Sequence, residues 1–151
     1  NNSVDRVLAL ESAQHFKPLD DFIVESKRVL IPSGFLVMAI PITISDASLR
    51  KLGLLKFTWS SEHYSLDHLK NLLTSNGFKI IDEKLIGSNV YDPLADYYVE
   101  NRKTLSNNIL EHYPGYMEKI LYKSLLKMKK ASQEKIIDYV LLKCSLDYDL
   151  E

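Results

Sequence analysis

Val4-Asp5-Arg6-Val7-Leu8-Ala9-Leu10 is the stretch of sequence that decides the fold. It is a short apolar run with a β-branched residue at its start, a pattern typical of a buried strand, here ending at Glu11. After Pro18, apolar side chains recur at intervals of three and four residues between Leu19 and Leu30. This spacing predicts an amphipathic helix, and proline suits its first turn.

The turn Pro32-Ser33-Gly34 is predicted to end that helix and to reverse the chain. The apolar run from Phe35 to Ile40 follows at once and predicts a second strand, covered on both faces. Strand, helix and strand then occupy about 40 residues, the size of a βαβ unit. Such a unit joins two parallel strands by a right-handed connection.

The remainder of the chain predicts two more strands and several helices. A helix capped by Ser65 ends at Asn76-Gly77, which resembles a left-handed C-terminal cap. A strand is predicted over Phe78 to Leu85, and a tyrosine-rich, mostly helical segment from Pro93 to about Lys130. The run from Ile136 to Cys144 predicts a final strand.

The composition indicates one soluble domain. The chain has 151 residues, 46% of them hydrophobic and 26% charged, and a formal net charge of -1. That balance argues against nucleic-acid binding, and the cluster Lys127, Lys129 and Lys130 is interpreted as a solvated helix end. No apolar run approaches the ~20 residues that span a bilayer, and no secretory signal opens the chain.

The single cysteine, Cys144, lies in an apolar strand-like run and is predicted to be a buried, inert thiol. One cysteine cannot form an intrachain disulfide, which favours a reducing, cytoplasmic location. The first residue is Asn1 rather than Met. The sequence is therefore expected to be a processed, trimmed or subcloned piece.

The segment from Val4 to Phe16 resembles the region after the fourth strand of class I S-adenosylmethionine-dependent methyltransferases, in particular the small-molecule, type 11-like group. In that family an Asp precedes an apolar run, which ends in an acidic residue and Ser or Ala, with a His shortly after. The resemblance continues from Phe22 to Leu36, where Glu25 to Gly34 is similar to the family pattern E-x-x-R-V-L-x-P-G-G. Ser33 stands in place of the first glycine of that turn.

The resemblance implies an α/β fold, the C-terminal half of a Rossmann-like methyltransferase sheet. Its strands would be ordered 4-5-7-6, with the last strand antiparallel and a helical lid inserted between strands 6 and 7. The chain would then form one partial methyltransferase domain over residues 1–151. Residues 1–90 would hold strands 4 to 6 with two helices, residues 91–132 the lid, and residues 133–151 strand 7.

The family's glycine-rich loop after strand 1 and the acidic residue that ends strand 2 should both precede residue 1. No Gly-x-Gly occurs in this sequence, which contains five glycines. The S-adenosylmethionine site is therefore expected to be incomplete, and cofactor binding by this chain alone to be weak or undetectable. Methyltransferase activity is expected of the parent protein, and the isolated chain is expected to be inactive.

The resemblance also assigns site residues. Ala9, Leu10 and Glu11 would border the methionyl part of the cofactor, whereas Ser12 and His15 would face the donor methyl group and the acceptor. A histidine can accept a proton at neutral pH, so His15 is the candidate base for a hydroxyl acceptor. The alternative is that His15 caps the following turn or packs beside its neighbours.

A lone glutamate at a strand end, such as Glu11, more often accepts hydrogen bonds from backbone amides than binds a metal. No metal site is predicted, because no Asp, Glu or His lies near Glu11 at the spacing of metal ligands. His63 and His68 are interpreted as surface residues. Lid tyrosines could form an aromatic pocket for the acceptor or could only pack their helices. The residues proposed to bind the substrate are Trp59, Tyr91, Tyr97 and Tyr98.

Two functions remain open. In the first, the parent protein methylates a small-molecule or lipid-like acceptor and this chain is its acceptor-side half. In the second, the chain is a non-catalytic remnant or partner subunit that keeps the fold without binding cofactor. A nicotinamide dehydrogenase fragment fits less well, since it explains neither the run from Glu11 to His15 nor the last antiparallel strand.

The predicted first strand would lie at an unpaired edge, where Val7, Leu8 and Leu10 invite pairing with another chain. One face of the sheet would also lack its helices. The expected partner is the missing N-terminal half or a second copy of the chain.

Overall fold

The computed structural model describes residues 1–50, 52–53, 55, 62 and 64–147, and Trp59 and His63 lie outside these residues. The strands of the described part are β1 Val4–Leu10, β2 Leu30–Thr43, β3 Phe78–Leu85 and β4 Ile137–Leu146. Its helices are a 3-10 turn at Ala13–His15, α1 Leu19–Val29, α2 Asp46–Leu49, α3 Leu66–Ser75, α4 Gly87–Glu100, α5 Arg102–Leu110 and α6 Gly115–Gln133.

The strands form one sheet in the order β1-β2-β4-β3. β1 runs parallel to β2, and Leu10 lies opposite Ala39. β4 inserts between β2 and β3 and is antiparallel to both. The mixed sheet, the neighbouring parallel pair and the antiparallel last strand confirm the predicted fold class.

The predicted end of the first helix is wrong. α1 stops at Val29, and the turn Pro32-Ser33-Gly34 belongs to β2. Val4 pairs with Leu30 but Arg6 pairs with Phe35, so the intervening residues form an irregularity in the strand. A Cβ at Gly34 would lie 2.9 Å from the Ile31 carbonyl oxygen and 3.1 Å from that of Asp5. The role of Gly34 is therefore to let two strands approach closely, and it does not terminate the helix.

The predicted ends of the next helix are confirmed. The Ser65 hydroxyl accepts a hydrogen bond from the His68 backbone N–H at 3.3 Å, which caps α3. Gly77 closes the helix with a φ of +80°, in the left-handed region that favours glycine.

The segment after β3 is helical, as predicted, but it begins earlier than Pro93. α4 starts at Gly87, whose backbone N–H donates to the Asp138 carboxylate at 2.7 Å, and Pro93 lies inside the helix. The carboxylate accepts one of the N–H groups that the first turn of a helix leaves unpaired. Because the cap comes from a strand 51 residues away, local sequence gives no sign of it.

The two faces of the sheet carry separate hydrophobic cores. On one face α1 and α3 pack Ile23 and Leu69 against alternate residues of β2 and β4. On the other, Tyr91 of α4 and Ala131 of α6 pack against Ala39 and Tyr139. A third cluster, formed by Ala95, Tyr98 and Leu125, holds the helices α4 to α6 together. Those three helices are called the lid below.

β1 is an edge strand with one uncovered face. Ala9 points into the core beside α1, so its neighbours Leu8 and Leu10 point to the opposite face and are 63% and 58% exposed. Because α4 and α6 pack against β2 and β4, this part of the sheet is left bare by the residues that the structure describes. Among the described residues, no helix has both the length and the apolar character needed to cross a membrane.

Candidate active site

The candidate site lies at the carboxyl ends of β1 and β2, the edge at which open α/β sheets bind ligands. Glu11 directly follows β1 with a φ of +51°, a conformation that side chains other than glycine rarely adopt. Its backbone N–H donates to the Ala39 carbonyl at 3.0 Å. This bond ties the end of β1 to β2 and fixes the direction of the loop that follows.

Gln14 is the buried polar residue of that loop. It is 3% exposed, and its side-chain nitrogen donates to the Glu11 carboxylate at 3.0 Å. A carboxylate only accepts hydrogen bonds, so the amide nitrogen must face Glu11 and the amide oxygen must point away. Within the described part of the chain, that oxygen, Oε1, has no hydrogen-bond partner. A buried unpaired acceptor costs about 1–3 kcal/mol.

Two tyrosine hydroxyls complete the polar surroundings. Tyr139 donates to the Ala39 carbonyl at 3.0 Å, and Tyr91 donates to the Asp138 carbonyl at 3.3 Å. Burial raises the pKa of both phenols, and the negative charge of Glu11 raises them further. Both hydroxyls therefore stay protonated at neutral pH and act as hydrogen-bond donors rather than as bases.

The residues predicted at the end of β1 have different surroundings. Ala9 is buried in the core on the α1 face, and Leu10 projects from the bare face. Ser12 is half-buried and its side chain makes no capping bond to the 3-10 turn. His15 is exposed at the end of that turn, and its backbone N–H donates to the Ser12 carbonyl.

The proposed substrate-binding tyrosines separate into three environments. Tyr91 is buried, and the negative charge of Glu11 contributes to the raised pKa of its phenol. Tyr97 is 59% exposed on α4. Tyr98 is buried within the lid, where its hydroxyl donates to Glu118 at 3.2 Å. The structure brings only Tyr91 of these three to the end of β1, and Trp59 lies outside the described residues.

Glu118 is the centre of a polar network inside the lid. The Arg102 guanidinium donates to both of its carboxylate oxygens, at 2.9 and 3.2 Å, and lies 3.6 Å above the Tyr122 ring. Hydrogen bonds from Arg102 hold the pKa of Glu118 below its usual value, against the opposing effect of burial. Tyr98 thus has a structural role that explains its burial without a ligand.

Sequence reasoning missed both Gln14 and Tyr139. The alternation of β4 could have placed Tyr139 on the face opposite Val140 and Leu142, but only the pairing of β4 with β2 brings it to Ala39. Gln14 stands between Ala13 and His15 in a short turn, and its burial depends on the packing of that turn. Local periodicity carries no signal for either contact.

The thiol of Cys144 is buried, and burial raises its pKa to about 12, so it is the inert thiol that the sequence predicted. No group of three His, Cys, Asp or Glu side chains with metal-binding geometry occurs among the residues that the structure describes.

The residues present fit one side of an S-adenosylmethionine site. The loop after β1 holds the unpaired buried acceptor of Gln14, and the hydroxyls of Tyr91 and Tyr139 nearby already donate to backbone carbonyls. The five glycines of the chain stand elsewhere, and none is followed two residues later by another. A glycine-rich turn, which lets backbone amides approach a cofactor closely, is therefore not supplied by this sequence.

Comparison with known proteins agrees with this architecture. The family model described as "Methyltransferase domain" matches residues 1–38. A search of curated proteins by sequence returned no match.

Solved structures are similar over nearly the whole chain. A cyclopropane synthase from Mycobacterium tuberculosis has a TM-score of 0.81 at 16% identity, with 96% of this chain and 56% of that chain covered. For a [4+2]-cyclase the TM-score is 0.69 at 18% identity, covering 97% and 51%. For a Haemonchus contortus phosphoethanolamine N-methyltransferase with bound S-adenosylhomocysteine it is 0.72 at 13% identity, covering 97% and 34%.

The chain thus spans between about a third and just over half of the length of these structures. At such low identity the likeness concerns the fold, and the same fold serves different activities. The chain has the fold of the class I S-adenosylmethionine-dependent methyltransferases.

Proposed function

We propose that this chain is the acceptor-side half of an S-adenosylmethionine-dependent methyltransferase that acts on a small-molecule or lipid-like acceptor. The observation that carries the proposal is the pairing of Gln14 with Glu11 at the carboxyl edge of the parallel strands, with the buried Oε1 of Gln14 left unpaired among the described residues. The match of the methyltransferase family model to residues 1–38 supports it, because both residues lie in that segment.

Gln14 and Glu11 would orient the acceptor. An unpaired amide oxygen can accept a hydrogen bond, so Oε1 of Gln14 would favour an acceptor that carries an O–H or N–H group. Methyl transfer is an in-line displacement, in which alignment of the two reactants contributes most of the rate. Ser12 and His15 follow Glu11 in the same loop, and His15 remains the proposed base for a hydroxyl acceptor.

Kinetics of the longer parent protein can separate these roles. Loss of a hydrogen bond to a buried amide should lower kcat/KM for Gln14→Leu by roughly 5- to 150-fold. Loss of a general base should lower kcat for His15→Gln by about 10²- to 10⁴-fold. Wild-type kcat/KM in Gln14→Leu would contradict the orienting role, and wild-type kcat in His15→Gln would leave His15 a structural residue.

Cofactor binding by the chain itself is proposed to be weak, since one side of the site is absent from its sequence. Calorimetry with S-adenosylmethionine should give weak or undetectable heat. Micromolar affinity would show instead that the chain carries a working site of its own.

A non-catalytic role is the second candidate, and the bare face of β1 favours it. Leu8 and Leu10 are exposed there, as in a subunit whose partner covers them. That partner is proposed to be the N-terminal half of the fold or a second copy of this chain. Absence of methyl transfer by the parent protein, together with stable association through β1, would support this candidate over the first.

The proposal includes a cytoplasmic location. It is supported by the buried Cys144, which needs no oxidising compartment.

A further inference from the structure

The outer face of α6 concentrates positive charge. From Gly115 to Lys135 there are six lysines and two glutamates, a net charge of +4 in a chain whose total is -1. Helical spacing places four of these lysines on one side of α6, opposite the side that packs Leu125 and Ser132. They are Lys119, Lys123, Lys127 and Lys130.

Three of the four lysines on this face, Lys119, Lys123 and Lys127, form no ion pair with another described residue. Lys129 pairs with Asp96 at 2.6 Å and Lys130 approaches Glu134 at 3.6 Å. Within the described residues, no carboxylate forms an ion pair with Lys123 or Lys127. Lys123 is exposed, whereas Lys127 is half-buried with its ammonium beside Gly53.

Apolar side chains interrupt the same face. Tyr116 is 62% exposed and Ile120 is 41% exposed, and both lie between the lysines on the helix surface. A lysine that stays fully in water gains no stability from apolar neighbours. At a lipid surface, by contrast, a lysine buries its methylene stem beside apolar groups and keeps its ammonium in water. Tyrosine is enriched at membrane interfaces because its ring is apolar and its hydroxyl is polar.

A groove runs along the C-terminal part of this face. It has a volume of about 440 Å³, and Lys123, Lys127 and Lys130 stand on its rim. Its apolar lining is contributed by Leu126, Ala131 and Ile136, and the Glu134 carboxylate, 3.6 Å from the Lys130 ammonium, also lines it. A phosphate group held by lysines above an apolar floor matches the chemistry of an anionic phospholipid, which carries acyl chains next to its headgroup.

We propose that the outer face of α6 docks on a membrane surface rich in anionic phospholipids, with the lysine-lined groove receiving a headgroup. Mixed cationic and apolar residues on one helix face are the pattern of helices that lie in a bilayer interface. A nucleic acid would not engage the apolar residues and would meet an otherwise acidic chain. Docking would bring the protein to lipid-like molecules without requiring a membrane span.

Vesicle flotation tests the proposal directly. The protein is mixed with vesicles of phosphatidylcholine alone or of equal parts phosphatidylcholine and phosphatidylglycerol, at low and at high ionic strength. Binding is expected only to the anionic vesicles, and salt should weaken it because surface charges are screened. Equal binding to neutral vesicles would overturn the proposal and point to the apolar face of β1.

Matched variants locate the contact. Each lysine near an anionic surface contributes about fivefold to the affinity for it. The double variant Lys123→Gln, Lys127→Gln should therefore bind anionic vesicles roughly 25-fold more weakly. The control pair Lys27→Gln and Lys79→Gln removes the same charge from exposed positions on α1 and β3 and should change binding by less than about fivefold. Ile120→Ser should weaken binding without altering its salt dependence.

Two further results would overturn the proposal. Equal losses in both lysine pairs would mean that total charge, rather than α6, governs binding. If the protein binds soluble polyglutamate through Lys123 and Lys127 but binds no vesicle, the face is a site for an acidic protein rather than for a membrane. Circular dichroism of each variant establishes that the fold is retained.

Discussion

At the scale of single residues, the loop after β1 holds two features that a stable fold does not require. Glu11 adopts a left-handed backbone, which costs roughly 1–2 kcal/mol for a side chain other than glycine. Gln14 buries an acceptor that no described residue satisfies. Strain and unpaired polar groups of this kind concentrate at ligand-binding sites, where a ligand meets the unsatisfied group.

Replacement of Gln14 by methionine, which has a similar volume, tests this interpretation. The variant loses a hydrogen bond worth about 1 kcal/mol and also removes an unpaired acceptor that costs about 1–3 kcal/mol. Its free energy of unfolding, measured in urea, should therefore be no lower than that of the wild type. A loss above about 2 kcal/mol would show that Gln14 is a structural residue.

Among the elements, α6 ends in a left-handed cap formed by Lys135. The Lys135 N–H donates to the Ser132 carbonyl and the Ile136 N–H to that of Ala131, the two bonds of a Schellman motif. Lys135 has a φ of +54°, a position at which glycine is favoured. The helix therefore ends at a residue that strains the backbone.

Lys135→Gly should stabilise the protein by about 1 kcal/mol in denaturant unfolding. Relief of the left-handed strain, roughly 1–2 kcal/mol, outweighs the loss of a long ion pair. That pair joins the exposed Lys135 ammonium to the buried Asp138 carboxylate at 3.6 Å, and Asp138 keeps its hydrogen bonds from the Gly87 and Tyr139 N–H groups. Glu134→Gly is the control, because Glu134 has a φ of -80°. Glycine there should cost roughly 0.5–1 kcal/mol, and a gain in both variants would refute the role of the cap.

The lid has a pH dependence of its own, through Glu118. Arg102 lowers the pKa of this carboxylate from its usual 4.5, so the ionised form is favoured in the folded state. The resulting stability is present above the unfolded-state pKa and is lost as the pH falls through the folded-state pKa.

Between about pH 6 and pH 3, the free energy of unfolding should fall further for the wild type than for Glu118→Gln. Glu100→Gln removes an exposed carboxylate from α4 and should follow the wild type. Identical pH profiles for the wild type and Glu118→Gln would mean that the network with Arg102 does not stabilise the lid.

For the whole molecule, the edge of the sheet at β1 is the proposed site of association. Within the described part of the chain, one side of the strand has no pairing partner, and Leu8 and Leu10 expose apolar surface beside that edge. Unpaired backbone groups next to apolar side chains favour addition of another strand.

Light scattering of the purified chain should accordingly show a mass that rises with concentration. Leu8→Glu together with Leu10→Glu should shift the mass to that of a monomer, because charge on this face opposes burial. Leu94→Glu, at an exposed position on α4, should leave association unchanged. A monomer at every concentration in the wild-type chain would contradict the proposed edge contact.

Features of the fold that depend on neighbouring residues were predictable from the amino-acid sequence. The extents of β1 and β3 follow from short apolar runs, and the ends of α3 follow from Ser65 and Gly77. Each signal acts within one or two turns of backbone, where propensity and capping have their effect. The order of the strands was predicted by the resemblance rather than by the residues.

Only the tertiary structure decided the features that join distant segments. Asp138 starts α4 at Gly87, and the Ala39 carbonyl binds both the Glu11 backbone and the Tyr139 hydroxyl. The sequence determined which segments form strands and helices, because hydrogen bonds within helices and turns join near neighbours. The site depends on contacts between residues as far apart as Ala39 and Tyr139, and such contacts exist only once the sheet has assembled.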